Sequence, residues 1–102
     1  MIPKNEMEEQ IRLMGDKTIA LIAVEEMAEL SKALLKNVNR GKDNVDDIFE
    51  ELADVSNLLE FLKMIYNISD EQVWEYEDKK HVEKWRPRIE KLKREAADGR
   101  KD

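Results

Sequence analysis

Between Lys17 and Ile65 apolar residues recur every three or four positions, and a single stretch, NVNRGKDN at 37–44, interrupts them. That spacing is the period of amphipathic helices. No segment alternates apolar with polar residues for long enough to make a strand, and the whole chain of 102 residues holds only three Gly and two Pro to break a helix. An all-helical fold is predicted. The first helix is expected from about Asn5 to Leu13, stopping at Gly15. The second runs from Asp16 or Lys17 to Asn37, with Ile19, Ile22, Ala23, Met27, Leu30 and Leu34 on one face. The third begins between Asp43 and Val45, with Asp46 and Asp47 in the first turn where the helix dipole favours anions, and its apolar face is Ile48, Phe49, Leu52, Val55, Leu58, Leu59, Leu62 and Ile65.

In YNISDEQ, Ser69 followed three places later by Gln72 reads as a capping box that opens a fourth helix. Pro87 ends or kinks that helix, or starts a short final one. Residues 97–102 are expected to form a frayed tail. Short connections on either side of the third helix favour antiparallel neighbours, so the predicted architecture is an oligomeric bundle of four to five helices in a single domain, 1–102.

A chain of this length makes one domain whose core is small enough to need a partner's surface. Helix two carries further apolar residues outside its main face (Leu21, Val24, Ala28, Leu35), and helix four adds Val73, Trp74 and Trp85. A homo-oligomer is therefore expected. There is no cysteine, so neither disulfides nor a thiolate metal site can form. With no apolar run of signal-peptide or membrane-span character, the expected location is the cytoplasm, with no membrane partner. The formal charge of −6 argues against a duplex nucleic-acid binder, which needs a broad basic footprint. Bases are instead concentrated late: residues 79–94 hold eight bases and two acids, whereas residues 1–51 hold 12 acids and seven bases.

The acids of helices two and three are arranged unusually. Glu26 and Glu29 lie three apart on one helix, Glu51 and Asp54 three apart on the next, so each pair shares a face. On a solvated helix surface such acids tend to be matched four residues on by Lys or Arg. Here the residues at those positions are Leu30, Ala33, Val55 and Leu58. Either the acids merely border an amphipathic face in a charge-rich protein, or a cation relieves their repulsion. If the helices are antiparallel, the two pairs can face one another. Oxygen ligation without Cys or a usable His then suits Mg²⁺, with Mn²⁺ as a substitute, rather than Zn²⁺.

EEMAE (Glu25, Glu26, Glu29) followed after a turn by ELAD (Glu51, Asp54) resembles the EExxE and ExxD motifs of the MazG-like, all-α nucleoside triphosphate pyrophosphohydrolases. The resemblance extends from about Met14 to Lys80. It implies an Mg²⁺-dependent hydrolase that cleaves a nucleoside triphosphate between the α and β phosphates, giving the monophosphate and pyrophosphate in a nucleotide-pool house-cleaning role. It also implies metal ligation by Glu26, Glu29, Glu51 and Asp54, and a catalytic role for Glu25 in holding a water at the metal or acting as a base. Relatives carry Lys, Asn and Arg late in the fourth helix to contact phosphates. Lys79, Glu83 and Arg86 fall at that spacing, so the Asn is unmatched and Lys80 is an alternative to Lys79. Asn57, one turn past Asp54, is a further ligand-binding candidate or a polar contact between helices. Compact relatives are dimers or dimers of dimers, which implies a tetramer ahead of a dimer and a nucleotide pocket walled by neighbouring subunits. The competing readings are phosphoribosyl-ATP pyrophosphohydrolase, which shares fold and motif, and a non-catalytic helical interaction module with structural acids.

The remaining conspicuous residues have plainer explanations. His81 is alone, without the ExxH pattern of a di-iron bundle. Trp74, Tyr76 and Trp85 suit core or subunit contacts better than base stacking. Lys91, Lys93 and Arg94 lie near a helix C-terminus, which favours bases in any case.

Overall fold

The computed structural model describes residues 1–99, and among these there are helices and turns but no strand. Five α-helices follow in order: α1 Lys4–Met14, α2 Asp16–Arg40, α3 Val45–Ile65, α4 Asp70–Lys80 and α5 Arg86–Ala97, with a π-helical turn at His81–Trp85 joining the last two. Internal contacts divide the chain into two compact units, Met1–Asn67 and the segment from Ile68 onward.

In the first unit, α1 gives way to α2 at Gly15 with no loop between them. Gly15 has φ +88°, a conformation that strains any residue with a Cβ, so the sharp change of direction depends on glycine. The second helix ends at Gly41, in the left-handed conformation (φ +62°), whose N–H donates to the Lys36 carbonyl. Asn37 Nδ2 donates to the Lys42 carbonyl at 3.2 Å and closes the turn. A four-residue connection then leads into α3.

Asn44 is the residue before α3, yet its side chain does not cap that helix. It crosses to α2, where Nδ2 donates to the Ala33 carbonyl at 3.0 Å, and only 6% of the residue is exposed. At the other end of the hairpin Ile19 of α2 meets Phe61 of α3, joined by Met7 of α1, with Ile2, Ile11, Leu58, Met64 and Ile65 packed around them. These two contacts fix α2 and α3 as antiparallel.

Two details depart from the stripes read in the sequence. Met27 and Leu34 are exposed, while Ala33 is buried. The small Ala33 side chain lets the helices approach near the loop, which the Asn44 hydrogen bond requires. On α3, Phe49, Leu52 and Leu59 are exposed and Phe61 is the most buried residue. A two-helix contact covers one narrow face of α3, and α1 covers the adjoining face near its C-terminal end.

The second unit opens with the expected capping box: the Gln72 N–H donates to Ser69 Oγ at 3.1 Å and the Ser69 N–H to Gln72 Oε1 at 2.8 Å. Pro87 is the second residue of α5. Proline cannot donate to the carbonyl four residues back and its ring presses on it, and the widened turn just upstream, where the Arg86 N–H donates to the His81 carbonyl, lets the chain stay helical through it. No residue of α4, the π turn or α5 is buried. Trp74, Tyr76, Val82, Trp85, Ile89 and Leu92 are all exposed, with Arg88 stacked over the Trp85 ring at 4.9 Å. Lys91 and Lys93 pair with Glu95 and Glu90 on α5 itself, as exposed helix bases ordinarily do. The fifth helix ends at Ala97 and Gly99 has positive φ. Of the expected tail at 97–102, residues 100–102 lie outside the described residues.

Candidate metal centre

The buried seam of α2 steps through Ile19, Ala23, Glu26, Leu30 and Ala33, in alternating strides of four and three. The seam of α3 does the same through Asn44, Ile48, Glu51, Val55, Leu58, Leu62 and Ile65. A carboxylate therefore occupies one seam position on each helix. Glu26 lies seven residues back from Ala33 and Glu51 seven residues on from Asn44, so equal steps from the loop contact bring the two acids face to face.

Asp54, one turn beyond Glu51 and exposed, joins them. One oxygen from each of Glu26, Glu51 and Asp54 can be chosen so that all lie within 4.8 Å of one another. Among the described residues none of the three forms an ion pair with Lys or Arg.

Exposed acids often gather on protein surfaces without binding anything. Glu51 differs from such a group: it is half-buried, and its Oε2 is shielded from solvent with no hydrogen-bond partner. An unpaired buried carboxylate oxygen is costly. Burial is the main influence pushing the Glu51 carboxyl above its ordinary value of 4.5. The close approach of the Glu26 carboxyl and the negative charges of Glu26, Asp54 and Glu29 push the same way.

A hard divalent cation fits this donor set. Such an ion takes oxygen ligands, and three carboxylates from two helices supply an all-oxygen set without His or Cys.

Of the other residues singled out in the sequence, Glu29 adds charge beside Glu51 but is not in the close group, and its Oε1 lies 3.9 Å from Lys32 Nζ. Glu25 is exposed on α2. Asn57 is half-buried and lines a separate pocket of about 250 Å³ with Met1, Ile2, Met7, Ser56 and Glu60. Lys79 and Lys80 in the last turn of α4, and Arg86 at the start of α5, are exposed residues of the second unit.

The sequence points to Lys32 only as the basic neighbour three residues beyond Glu29, and it singles out neither Asn44 nor Lys36. Asn44, Lys32 and Lys36 line a pocket with Glu29 and Glu51. A signal was present, because Asn44 stands one heptad before Glu51, but a residue in NVNRGKDN looked like part of a turn. No family model, curated protein or solved structure matches the chain.

Proposed function

We propose that the chain is an Mg²⁺-dependent nucleotide pyrophosphohydrolase that converts a nucleoside triphosphate into the monophosphate and pyrophosphate. The observation that carries this reading is the convergence of Glu26, Glu51 and Asp54 from two antiparallel helices, one of them, Glu51, with a buried oxygen that has no hydrogen-bond partner. The resemblance of EEMAE and ELAD to the motifs of the all-α pyrophosphohydrolases supports it. The chemistry supplied by bound Mg²⁺ is neutralisation of the triphosphate charge and activation of a water.

Glu26, Glu51 and Asp54 hold the cation, and Glu29 adds negative charge beside it. Glu25, assigned by motif, takes a proton from the attacking water and passes it to solvent. The water oxygen bonds to the α phosphorus, the bond from that phosphorus to the α–β bridging oxygen breaks, and the bridging oxygen leaves with its electron pair as part of pyrophosphate. Lys79 or Lys80, Arg86 and Asn57 are proposed substrate contacts. The decisive experiment is a profile of canonical and modified nucleotides read out as released pyrophosphate. No Mg²⁺-dependent release from any nucleoside triphosphate would defeat the proposal.

Metal binding has a readout independent of turnover. An ion bound only by the folded state stabilises by about 2.7 kcal/mol at 100 times its Kd, which for a domain of this size raises Tm by about 10 °C or more. Protein in saturating Mg²⁺ is expected to melt higher than protein in EDTA. Equal melting temperatures would remove the cation from the site.

The same proposal includes a homo-oligomer, a tetramer ahead of a dimer. Its support is the apolar surface left open on both units: Leu21, Val24 and Leu35 on α2, Phe49 and Leu52 on α3, and the aromatic residues of the second unit. A helical segment with no buried residue is marginal alone. Light scattering at micromolar concentration is expected to give a multiple of the 12.0 kDa chain mass, and an active monomer would refute the assembly. Among the described residues no helix is long and apolar enough to cross a membrane. A cytoplasmic setting completes the proposal.

A further inference from the structure

Toward the α2–α3 loop from the carboxylate group lies a pocket of about 130 Å³, lined by Lys32, Lys36 and Asn44 together with the acids Glu29, Asp47, Glu50 and Glu51. Its composition selects its occupant. Four acids repel a bare anion, and a cation alone leaves the two ammonium groups without a partner anion. An anion that arrives with a metal ion satisfies both, because the ion faces the acids and the phosphate oxygens face the ammonium groups.

The lysines are placed to change partners. Lys32 and Lys36 stand three and seven residues beyond Glu29, so they follow one another by about one turn along one face of α2. Lys32 reaches Glu29 only at 3.9 Å, with both side chains more than half exposed, which makes it a weak pair. Among the described residues Lys36 forms no ion pair.

A second observation at the wall of the pocket is independent of the charges. Asn44 is 6% exposed and spends its Nδ2 on the Ala33 carbonyl, while its Oδ1 is buried without a partner, as is Oε2 of Glu51 on the same seam. Both are acceptors that lack a donor. Water carried by Mg²⁺, which gives up its hydration shell reluctantly, is a donor suited to such a place.

We propose that this pocket receives the pyrophosphate end of the substrate, with Lys32 and Lys36 binding its phosphate oxygens and Asn44 accepting a hydrogen bond from the hydrated cation. The proposal rests on the pyrophosphohydrolase reading for its substrate class but is tested by binding alone. Inorganic pyrophosphate is titrated into the full-length chain in excess Mg²⁺ by calorimetry, with adenosine monophosphate and Mn²⁺ titrated separately.

The wild type is expected to bind pyrophosphate. Lys32→Ala/Lys36→Ala is expected to bind it at least tenfold more weakly, with Mn²⁺ and monophosphate affinities within about twofold of the wild type, which misfolding would not preserve. Unchanged pyrophosphate affinity in the double variant, parallel loss of all three ligands, or no pyrophosphate binding by the wild type overturns the proposal. Lysine-dependent pyrophosphate binding by a protein that hydrolyses no nucleotide leaves the pocket standing and removes the pyrophosphohydrolase reading.

Discussion

Glu51→Gln is expected to lower the rate of pyrophosphate release by about 10³-fold or more, while leaving the metal-free protein at least as stable as the wild type. The first effect follows from the role proposed for Glu51, since loss of a metal-ligand charge removes several kcal/mol of transition-state stabilisation, and about 1.4 kcal/mol corresponds to each factor of ten. The second follows from what surrounds the residue. Its Oε2 is buried without a partner and Glu26, Asp54 and Glu29 are all negative neighbours, so an amide of the same shape relieves repulsion.

The pH dependence separates this account from simple damage. The folded-state value of Glu51 is raised above its ordinary 4.5, so between the two values the folded chain binds more protons than the unfolded one, and the contribution of Glu51 to stability falls as pH rises through that window. In EDTA the stability of the wild type relative to Glu51→Gln should therefore improve as pH is lowered from neutrality toward 4.5. Thermal melts of both proteins across that range measure it directly. A variant as active as the wild type in Mg²⁺ would dismiss Glu51 as a ligand, and a gap in Tm that does not change with pH would dismiss the strained carboxylate.

Phe61→Ala is expected to cost about 3–5 kcal/mol, which takes away most of the stability of a domain near the low end of about 5–15 kcal/mol. Phe61 is 4% exposed and joins Met7 of α1 and Ile19 of α2, so it is the side chain through which α3 holds both other helices of its unit. The small number of buried residues leaves little else to take up the loss. Phe49, 69% exposed on the same helix, provides the comparison. In an isolated chain Phe49→Ala should fall within about 0.5 kcal/mol, and a clearly larger loss would mark that face as covered by a partner. Urea denaturation of the two variants gives both numbers. A cost below about 1 kcal/mol for Phe61→Ala would place the core elsewhere.

Most helix starts and stops were readable along the chain itself, although α2 runs three residues past its expected end at Asn37, to Arg40. Gly15 and Gly41 stop helices because the positive-φ conformations they adopt come without strain only to glycine, and Ser69 with Gln72 starts one because its hydrogen bonds span just three residues. All of these are interactions between near neighbours, and sequence records near neighbours faithfully. The like-charged pairs Glu26/Glu29 and Glu51/Asp54 were visible for the same reason.

Tertiary structure decided which acids meet. Sequence spacing places all four on adjoining faces, but the group that closes is Glu26, Glu51 and Asp54, with Glu29 turned toward Lys32. That choice depends on the register of α2 against α3, which is held at one end by Asn44 on the Ala33 carbonyl and at the other by Ile19 against Phe61. The same register turns Leu34 outward and Ala33 inward, and it brings Lys36 and Asn44 to the pocket beside Glu51. Register comes from contacts eleven or more residues apart in the chain, between a small side chain that permits close approach and a buried amide that requires it, and no periodicity within either helix encodes that pairing.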